Sequence, residues 1–317
     1  MTGAQRTIVI AFVAVLALAA PWVAYPVFLM TALCFALFAC AFNLLLGYAG
    51  LMSFGHAMFF GIAGYCYGYV VKAWNLPPEL GLVAGVAGAA ALGLVTGALA
   101  IRRQGIYFAM ITLAFAQMIY FFCVQAPFTG GEDGLQGIAR KPLLGGLIPT
   151  KDDRVLYYVV LVIFLFGFGA IYRFIHSPFG QVLKAIRDNE QRAVSLGYEA
   201  DRYKLLAFIL SAALAGLAGA TKAMVLQFAT LTDVSAAMSG EVVLMALVGG
   251  LGTIVGPVVG AFIIVTMQNY LASTGEFVLV IQGAIFVVIV MAFRKGLVGE
   301  FAEWWKSRSA PRTGPAD

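Results

Sequence analysis

The chain has 317 residues, of which 62% are hydrophobic and only 11% are charged, and its formal net charge is +5 at pH 7. An ordinary soluble domain carries about 25% charged residues, so the composition excludes a soluble protein of one or two domains. The basic residues lie between long apolar runs and form no single patch, which argues against nucleic-acid binding and favours a membrane protein that these residues orient.

Ten apolar runs are predicted to be transmembrane helices, because a helix of about 20 apolar residues crosses a hydrocarbon core of about 30 Å. Backbone groups in lipid must be hydrogen-bonded internally, so repeated runs of this kind predict an all-α bundle. The first run follows Arg6 without a clear small-residue cleavage site, and we interpret it as a span and not as a signal peptide. The runs cover residues 7–24, 26–47, 51–71, 80–101, 106–125, 155–173, 204–222, 240–252, 254–272 and 276–293.

The stretch 240–272 is ambiguous, because it is too long for one straight helix and is interrupted by several glycines and by Pro257. Counted as two passes, with the amino terminus inside, it places 14 of the 20 basic residues on the inner side, as the positive-inside rule requires. We therefore predict ten passes with both termini in the cytoplasm, a permease domain over 1–296 and a cytoplasmic tail over 297–317. Two full passes and a re-entrant hairpin both remain open for this stretch.

Two hydrophilic segments separate the spans, residues 126–154, predicted outside, and residues 174–203, predicted inside. In the inner segment, Ser177-Pro178 is typical of an N-cap followed by proline at the first helical position. Asp188 is predicted to cap a second helix, which Gly197 would end. Two capped helices that carry charges of both signs indicate a docking element for a cytoplasmic partner, whereas a plain linker needs no such caps.

The spans contain one ionisable side chain of note, His56, while Glu79, Glu241 and Glu276 lie at span edges. A transporter driven by a proton or sodium gradient usually needs ionisable groups or a broken-helix ion site near the midplane, and no channel filter is recognisable. The four cysteines form no CxxC pair, so no metal site is predicted. The chain also has no GxxxxGK[ST] phosphate loop. We therefore predict a transport subunit without enzymatic activity or a cofactor of its own, with ATP and Mg²⁺ bound by partner ATPases.

Six short motifs occur in order along the chain: NLLLGYAGLMSFGH at 43–56, GIYFAMITLA at 105–114, TGGEDGL at 129–135, SPFG at 177–180, AIRDNE at 185–190 and GGLGTIVGP at 249–257. Together they resemble segments of the permease subunits of branched-chain amino acid ABC importers, and they are closer to the M-type permease than to its H-type partner. The resemblance covers about residues 40–296.

The resemblance implies the ABC importer permease fold and a role as the permease subunit of an ATP-driven importer, which translocates branched-chain or related hydrophobic amino acids across a bacterial inner membrane. It also implies a second permease subunit, two cytoplasmic ATP-binding subunits and a periplasmic solute-binding protein. Urea, short amides or aromatic acids remain alternative cargoes, and a standalone secondary transporter or channel is an alternative of a different class.

One departure concerns the E-A-A-x-x-x-G signature that ABC permeases of another type carry in their cytoplasmic loop. Here Ala193 and Gly197 keep the spacing, but Gln191 and Arg192 replace the first two positions. The expected contact with the ATPase therefore rests on topology and on the family's own motif. The predicted coupling residues are Pro178, Phe179, Gly180, Arg187, Asp188, Glu190, Arg192, Ala193 and Gly197.

Candidate passage residues are polar groups beside the glycines of 43–56, where the second span ends and the third begins, together with Tyr107 and Thr112 of the GIYFAMITLA motif. For these two residues, packing or interhelical hydrogen bonding is the alternative. For His56, one interpretation is a group that lines the passage, and the other is a histidine bonded to a carbonyl freed by a broken helix. The candidates are Asn43, Ser53, His56, Tyr107 and Thr112.

Overall fold

The computed structural model describes residues 17–22, 24–146, 148–271, 277–292 and 296–300. Helices make up most of these residues, and the pairings between extended segments within these ranges are two isolated β-bridges, Leu135 with Ala229 and Leu143 with Ile148. The all-α prediction is therefore confirmed. Most of the predicted first span, the start of the tenth at 276 and the tail from residue 301 lie outside the described residues.

We number the helices that organise the bundle α1 to α11. They are α1 Pro26–Asn43, α2 Ala57–Lys72, α3 Pro78–Ala100, α4 Ile106–Gln125, α5 Asp153–Ile175, α6 Pro178–Asp188, α7 Glu190–Ser195, α8 Ala200–Leu226, α9 Ala236–Gly249, α10 Gly256–Leu271 and α11 Phe277–Ala292. A π-helical turn, Leu44–Tyr48, continues α1. Short 3₁₀ turns, Pro127–Thr129, Gly131–Asp133, Leu144–Gly146 and Leu231–Val234, lie in the connections.

Five elements in the described ranges are long and apolar enough to cross a membrane: α1 with its π-helical end, α3, α4, α5 and α8. Helices α2, α9, α10 and α11 have 14 to 16 residues. At 1.5 Å per residue they reach only about 21–24 Å, less than a hydrocarbon core of about 30 Å. The protein is thus an all-α multi-pass membrane protein, while a count of ten full-length passes is not established.

The break predicted within 240–272 is present, because α9 ends at Gly249 and α10 begins at Gly256. A Cβ at Gly260 would overlap the carbonyl oxygen of Met245, and a Cβ at Gly249 would overlap that of Gly256. Only glycine therefore lets the two backbones approach so closely, as is typical of helix packing in lipid. The stretch is an antiparallel helical hairpin.

Helix α1 lies at the centre of the bundle, with 89% of its most apolar window buried, compared with 28% in α3 and in α4. A helix that is apolar all round belongs inside a large bundle. Helices α5, α8 and α10 pack against it. Helices α2, α3 and α8 pack closely on one another through small residues. For example, a Cβ at Gly219 would overlap the carbonyl oxygen of Phe60, and one at Gly216 would overlap the Cβ of Ala89.

The connections gather at two ends of the bundle. Residues 174–203, which contain α6 and α7, lie at one end, and we call them the coupling element. At the opposite end, residues 126–152 lie over the helix ends: Lys72 Nζ donates to the Gln136 carbonyl at 2.6 Å, and Arg140 Nη2 donates to that of Val225 at 2.7 Å. The long helices connect these ends in alternating directions.

Candidate passage and coupling element

The first helix of the coupling element begins as predicted. The hydroxyl oxygen of Ser177 accepts a hydrogen bond from the Gly180 N–H at 3.3 Å, and Pro178 occupies the first helical turn. A Cβ at Gly180 would come 2.5 Å from the carbonyl oxygens of Phe174 and Ile175, so glycine is needed where α6 turns against the end of α5.

The second cap was predicted at the wrong residue. Helix α6 continues through Asp188, and Asn189, in an extended conformation, caps α7 by accepting a hydrogen bond from the Arg192 N–H at 3.0 Å. Asp188 instead forms an ion pair with Arg187 at 2.8 Å. The predicted end is confirmed, since Gly197 follows α7 with a φ of +89°.

The interior of the coupling element is apolar. Ala193 is buried in a small cluster with Ile186 and Ala200. Glu190 accepts a 2.6 Å hydrogen bond from Lys204 Nζ, whose side chain is only 4% exposed, so this ion pair fixes α7 to the start of α8. Ala193 and Glu190 therefore hold the element together.

The outer surface of the coupling element is formed by other residues. Arg192 is exposed, and so are the large apolar side chains of Val194, Leu196 and Tyr198. Phe179 is half-buried, and its ring packs against the rings of Phe174 and Tyr203. The element therefore presents a surface of mixed charge and apolar area away from the bundle, while Phe179 anchors it.

Asn43 lies at the junction between α1 and its π-helical end. Its side-chain amide donates to the carbonyl oxygen of Thr253 at 2.8 Å and accepts from the Gly252 N–H at 3.0 Å. These backbone groups belong to the turn between α9 and α10, where no helix satisfies them. Asn43 thus joins two irregular segments at the end of the bundle that carries the coupling element.

His56 is fully buried among the rings of Phe38, Phe42 and Phe59, with centroids 5.4 to 6.0 Å away. Its Nε2 lies 3.0 Å from Ser211 Oγ, and that hydroxyl donates its one proton to the Ala41 carbonyl. Nε2 therefore carries a proton and donates to the serine oxygen. Nδ1 is the acceptor nitrogen and has no partner among the described residues.

The remaining passage candidates divide between the interior and the surface. Ser53 is fully buried, and its Oγ has no partner among the described residues. Thr112 is also fully buried and donates to the Ala109 carbonyl at 2.9 Å, while a Cβ at Gly55 would overlap the Thr112 carbonyl oxygen. Tyr107, by contrast, is 73% exposed on the outer surface of α4. The structure therefore brings four of the five candidates into the bundle interior.

A buried ion pair was missed by the sequence analysis. Lys222 and Asp233 pair directly, their side chains are 10% and 7% exposed, and the Lys222 ammonium lies 5.4 and 5.6 Å from the ring centroids of Phe35 and Phe60. The span predicted to end at residue 222 placed Lys222 at its outer edge, whereas α8 runs to Leu226. The prediction that His56 is the one ionisable group of note inside the bundle is therefore wrong. The sequence feature that could have revealed the pair is a lysine in an apolar helix with an aspartate 11 residues later.

Within the described ranges, no group of three or more His, Cys, Asp or Glu side chains is placed so that it could hold a metal ion. A recess of about 380 Å³ lies on the surface of α4, lined by Met118, Phe121, Phe122, Gln125 and Ala126. It lies at the far end of α4 from Tyr107 and is distinct from the buried polar residues.

Comparison with known proteins gives a consistent result. The family described as "Branched-chain amino acid transport system / permease component" matches residues 25–290. The high-affinity branched-chain amino acid transport system permease protein LivM of Escherichia coli is 28% identical over 81% of this chain, and the alignment covers 65% of the relative. The chain thus spans just under two thirds of the length of that relative.

More distant relatives include two other permeases. The ribose import permease protein RbsC of Bacillus subtilis is 30% identical over 52% of this chain and 51% of its own length. The probable branched-chain amino acid transport permease protein LivH of Methanocaldococcus jannaschii is 28% identical over 43% of this chain and 44% of its own length. No solved structure matches the chain.

Proposed function

Since this chain belongs to the branched-chain amino acid transport permease family, we propose that it is a passage subunit of an ATP-driven importer in a bacterial inner membrane. The proposed cargo is a branched-chain or related hydrophobic amino acid, as the name of the E. coli relative suggests. The chain itself would bind no ATP or Mg²⁺ and would catalyse no reaction, because separate ATP-binding subunits would do so.

The observation that carries this proposal is the architecture of the coupling element. Two capped helices, an apolar interior around Ala193 and the ion pair between Glu190 and Lys204 make a small rigid unit at one end of the bundle. Its outer surface presents Arg192 together with exposed apolar side chains. A rigid unit with such a surface suits docking of an ATP-binding subunit, since mechanical work needs a stiff connection.

The other proposed partners follow from the remaining surfaces. A second permease subunit would cover the exposed Met- and Phe-rich face of α4, and similarity to both LivM and LivH proteins supports a pair of related permeases. A periplasmic solute-binding protein would dock at the opposite end of the bundle, where residues 126–152 lie over the helix ends.

For topology, we propose ten passes with both termini in the cytoplasm. The coupling element would be cytoplasmic, and residues 126–154 would be periplasmic. Gly296 lies after α11 and packs against Gly250, in the turn at the coupling end of the bundle. This contact supports two crossings for α9 and α10 and a tail, 297–317, on the same side as the coupling element.

For the passage, we propose that Asn43, Ser53, His56 and Thr112 line a route that is closed in this conformation. All four are buried, and Ser53 Oγ and His56 Nδ1 lack partners among the described residues. Buried polar groups without partners are costly, so they favour a segment that contacts water or solute in another state. Tyr107 would contribute only where the second permease subunit covers α4.

A second candidate function is a standalone secondary transporter, and the buried Lys222–Asp233 pair is the observation that favours it. Ionisable residues inside membrane bundles often serve proton or ion pathways. Within the first candidate, urea, short amides or aromatic acids remain alternative cargoes.

The decisive experiment is purification of the chain with its co-encoded proteins, followed by reconstitution into proteoliposomes. We expect two ATP-binding subunits to co-purify, and uptake to require ATP on their side together with the binding protein on the other. Full uptake by the lone chain, driven by a proton or sodium gradient, would instead establish the secondary transporter. Competition among leucine, urea and aromatic acids in the same assay identifies the cargo class.

A further inference from the structure

Arg187, in the coupling element, points toward the bundle. Its Nη1 donates a 2.5 Å hydrogen bond to the Gly47 carbonyl oxygen, in the π-helical end of α1. Its Nε and Nη2 both donate to Asp188 Oδ1, at 3.1 and 2.8 Å. Because Asp188 occupies these two nitrogens, the planar guanidinium is held in one orientation and the third nitrogen is directed at Gly47.

The backbone next to Gly47 is shaped to receive this arginine. Gly50 has a φ of +71°, and a Cβ there would come 2.7 Å from Arg187 Cγ. The aliphatic stem of the arginine therefore lies directly on the glycine. One turn earlier on α6, Lys184 Nζ lies 5.6 Å from the ring centroid of Tyr48, so the same face of α6 contacts this segment twice.

The opposite side of the same segment is fixed to a second irregular stretch. A Cβ at Gly47 would come 2.7 Å from the Gly252 nitrogen, so the two backbones are in direct contact. Asn43 spans this contact through its hydrogen bonds to Gly252 and Thr253. The segment around Gly47 thus lies between α6 on one side and the turn between α9 and α10 on the other.

We propose that Arg187 is a positioning residue that links the coupling element to the irregular segment 44–56, so that a displacement of α6 moves this segment and the turn 250–255 together. Ser53 and His56 belong to the same segment, so the link connects the coupling element to the proposed passage. The predicted effect on transport rests on the proposed function, whereas the mechanical link rests only on contacts within this chain.

This role differs from the sequence prediction, which placed Arg187 among the residues that contact an ATP-binding subunit. An arginine that contacts a partner would direct its guanidinium outward, but all three nitrogens of this guanidinium donate hydrogen bonds within the chain. A donor to a backbone carbonyl of an irregular segment satisfies a group that no helix satisfies. Its loss should therefore free the segment locally and leave the surface of the coupling element intact.

The first test measures hydrogen exchange of the purified full chain in detergent and needs no transport activity. Arg187→Ala should accelerate exchange of amides within 44–56 and 250–255 at least fivefold, while amides of α6 and α7 keep their rates. Arg202→Ala is the matched control, because Arg202 is an exposed arginine of the coupling element that follows α7 and pairs with Glu199. Unchanged exchange in both irregular segments, or equal effects of the two variants, would overturn the link.

The second test uses the reconstituted complex and compares uptake with ATP hydrolysis. Arg187→Ala should lower the solute transported per ATP hydrolysed at least tenfold while the ATP-binding subunits still co-purify, and Arg187→Lys should fall between it and wild type. Loss of the ATP-binding subunits from Arg187→Ala would show a docking residue and overturn the proposal. If wild type shows no ATP-dependent uptake, the proposed function fails, and the exchange result still decides the link.

A third variant keeps the proposal testable if Arg187→Ala does not reach the membrane. Gly50→Ala places a methyl group against the arginine stem, so it should also accelerate exchange in 44–56. In the double variant Gly50→Ala/Arg187→Lys the effects of the two single substitutions should be less than additive, because the residues share one contact. Additive effects would show that they act independently and would contradict the proposed contact.

Discussion

The side-chain amide of Asn43 satisfies a donor and an acceptor of a turn about 210 residues further along the chain. It donates to the Thr253 carbonyl and accepts from the Gly252 N–H. Helix α1 lies at the centre of the bundle and packs against α9 and α10, and the Asn43 side chain ties the turn between these two helices to it. No apolar residue of similar size can replace it.

We expect Asn43→Leu to destabilise the protein by about 1–3 kcal/mol, because it leaves the half-buried N–H of Gly252 and carbonyl oxygen of Thr253 without this partner. The measurement is thermal unfolding of the purified chain in detergent. Asn269→Leu, at an exposed position of α10, is the control and should change stability by less than about 0.5 kcal/mol. Equal effects of the two substitutions would show that the bridge contributes nothing specific.

The Lys222–Asp233 pair predicts a different pattern. Lys222→Met alone or Asp233→Leu alone should cost about 3–5 kcal/mol, since each leaves one buried charge without its counter-charge. The double variant, which removes both charges, should recover most of that loss. Unfolding midpoints of the three variants give the comparison, and a double variant that is less stable than either single one would contradict this account.

Much of the fold could be predicted from the sequence, because lipid imposes strong constraints on composition. The approximate positions of the long apolar helices, the break in 240–272 and the Ser177 cap follow from apolar length, glycine spacing and cap chemistry. The second cap was misplaced by one residue, since Asp188 and Asn189 are both good cap residues and only the end of α6 distinguishes them.

The candidate site could be predicted less well, because burial and pairing depend on distant segments. The partners of Asn43 are backbone groups, which any sequence offers, and Ser211 has no feature that marks it as a partner of His56. Tyr107 and Thr112 share one motif, but they lie on different faces of α4, one exposed and one buried. The inward direction of Arg187 likewise follows from how α6 meets the π-helical turn, which the sequence does not show.

The passage proposal predicts state-dependent reactivity at Ser53. In a background without the four native cysteines, Ser53→Cys should be protected from a small water-soluble thiol reagent in this conformation, because the position is fully buried. It should react at least tenfold faster in another nucleotide state of the complex. Met52→Cys is the matched control. The Met52 side chain, next to Ser53, is 37% exposed, so a cysteine at this position should react in every state. Protection of residue 53 in every state would favour packing.

The proposed topology predicts a cytoplasmic carboxyl terminus. A reporter that works only in the cytoplasm should therefore be active when it is fused after residue 317, and a reporter that works only in the periplasm should be inactive there. The reason is the excess of basic residues on the predicted inner side, and the contact between Gly296 and Gly250 supports it. A second reporter, inserted after residue 137 in the segment 126–154 that is predicted outside, should report the periplasm. A periplasmic signal from the carboxyl terminus would overturn the ten-pass topology.

The last prediction concerns Ala193, which was expected at a docking surface and lies inside the coupling element. It packs with Ile186 and Ala200, so Ala193→Glu buries a charge in an apolar cluster or forces α7 away from α6. Either result removes the rigid unit on which docking depends. We therefore expect ATP-driven uptake to fall at least tenfold while the chain still reaches the membrane and binds the second permease subunit.

Two further variants separate this effect from a simple change of surface charge. Ser195→Glu adds the same charge on the exposed face of α7 and should reduce uptake less than threefold, because surface charges contribute little individually. Arg192→Ala should also be mild. Because α7 contributes the exposed surface of the coupling element, co-purification of the ATP-binding subunits should fall in Ala193→Glu and persist in the other two. If Ala193→Glu leaves both assembly and uptake unchanged, residues 174–203 are only a linker, and the contact that transmits ATP hydrolysis must lie elsewhere on the inner face.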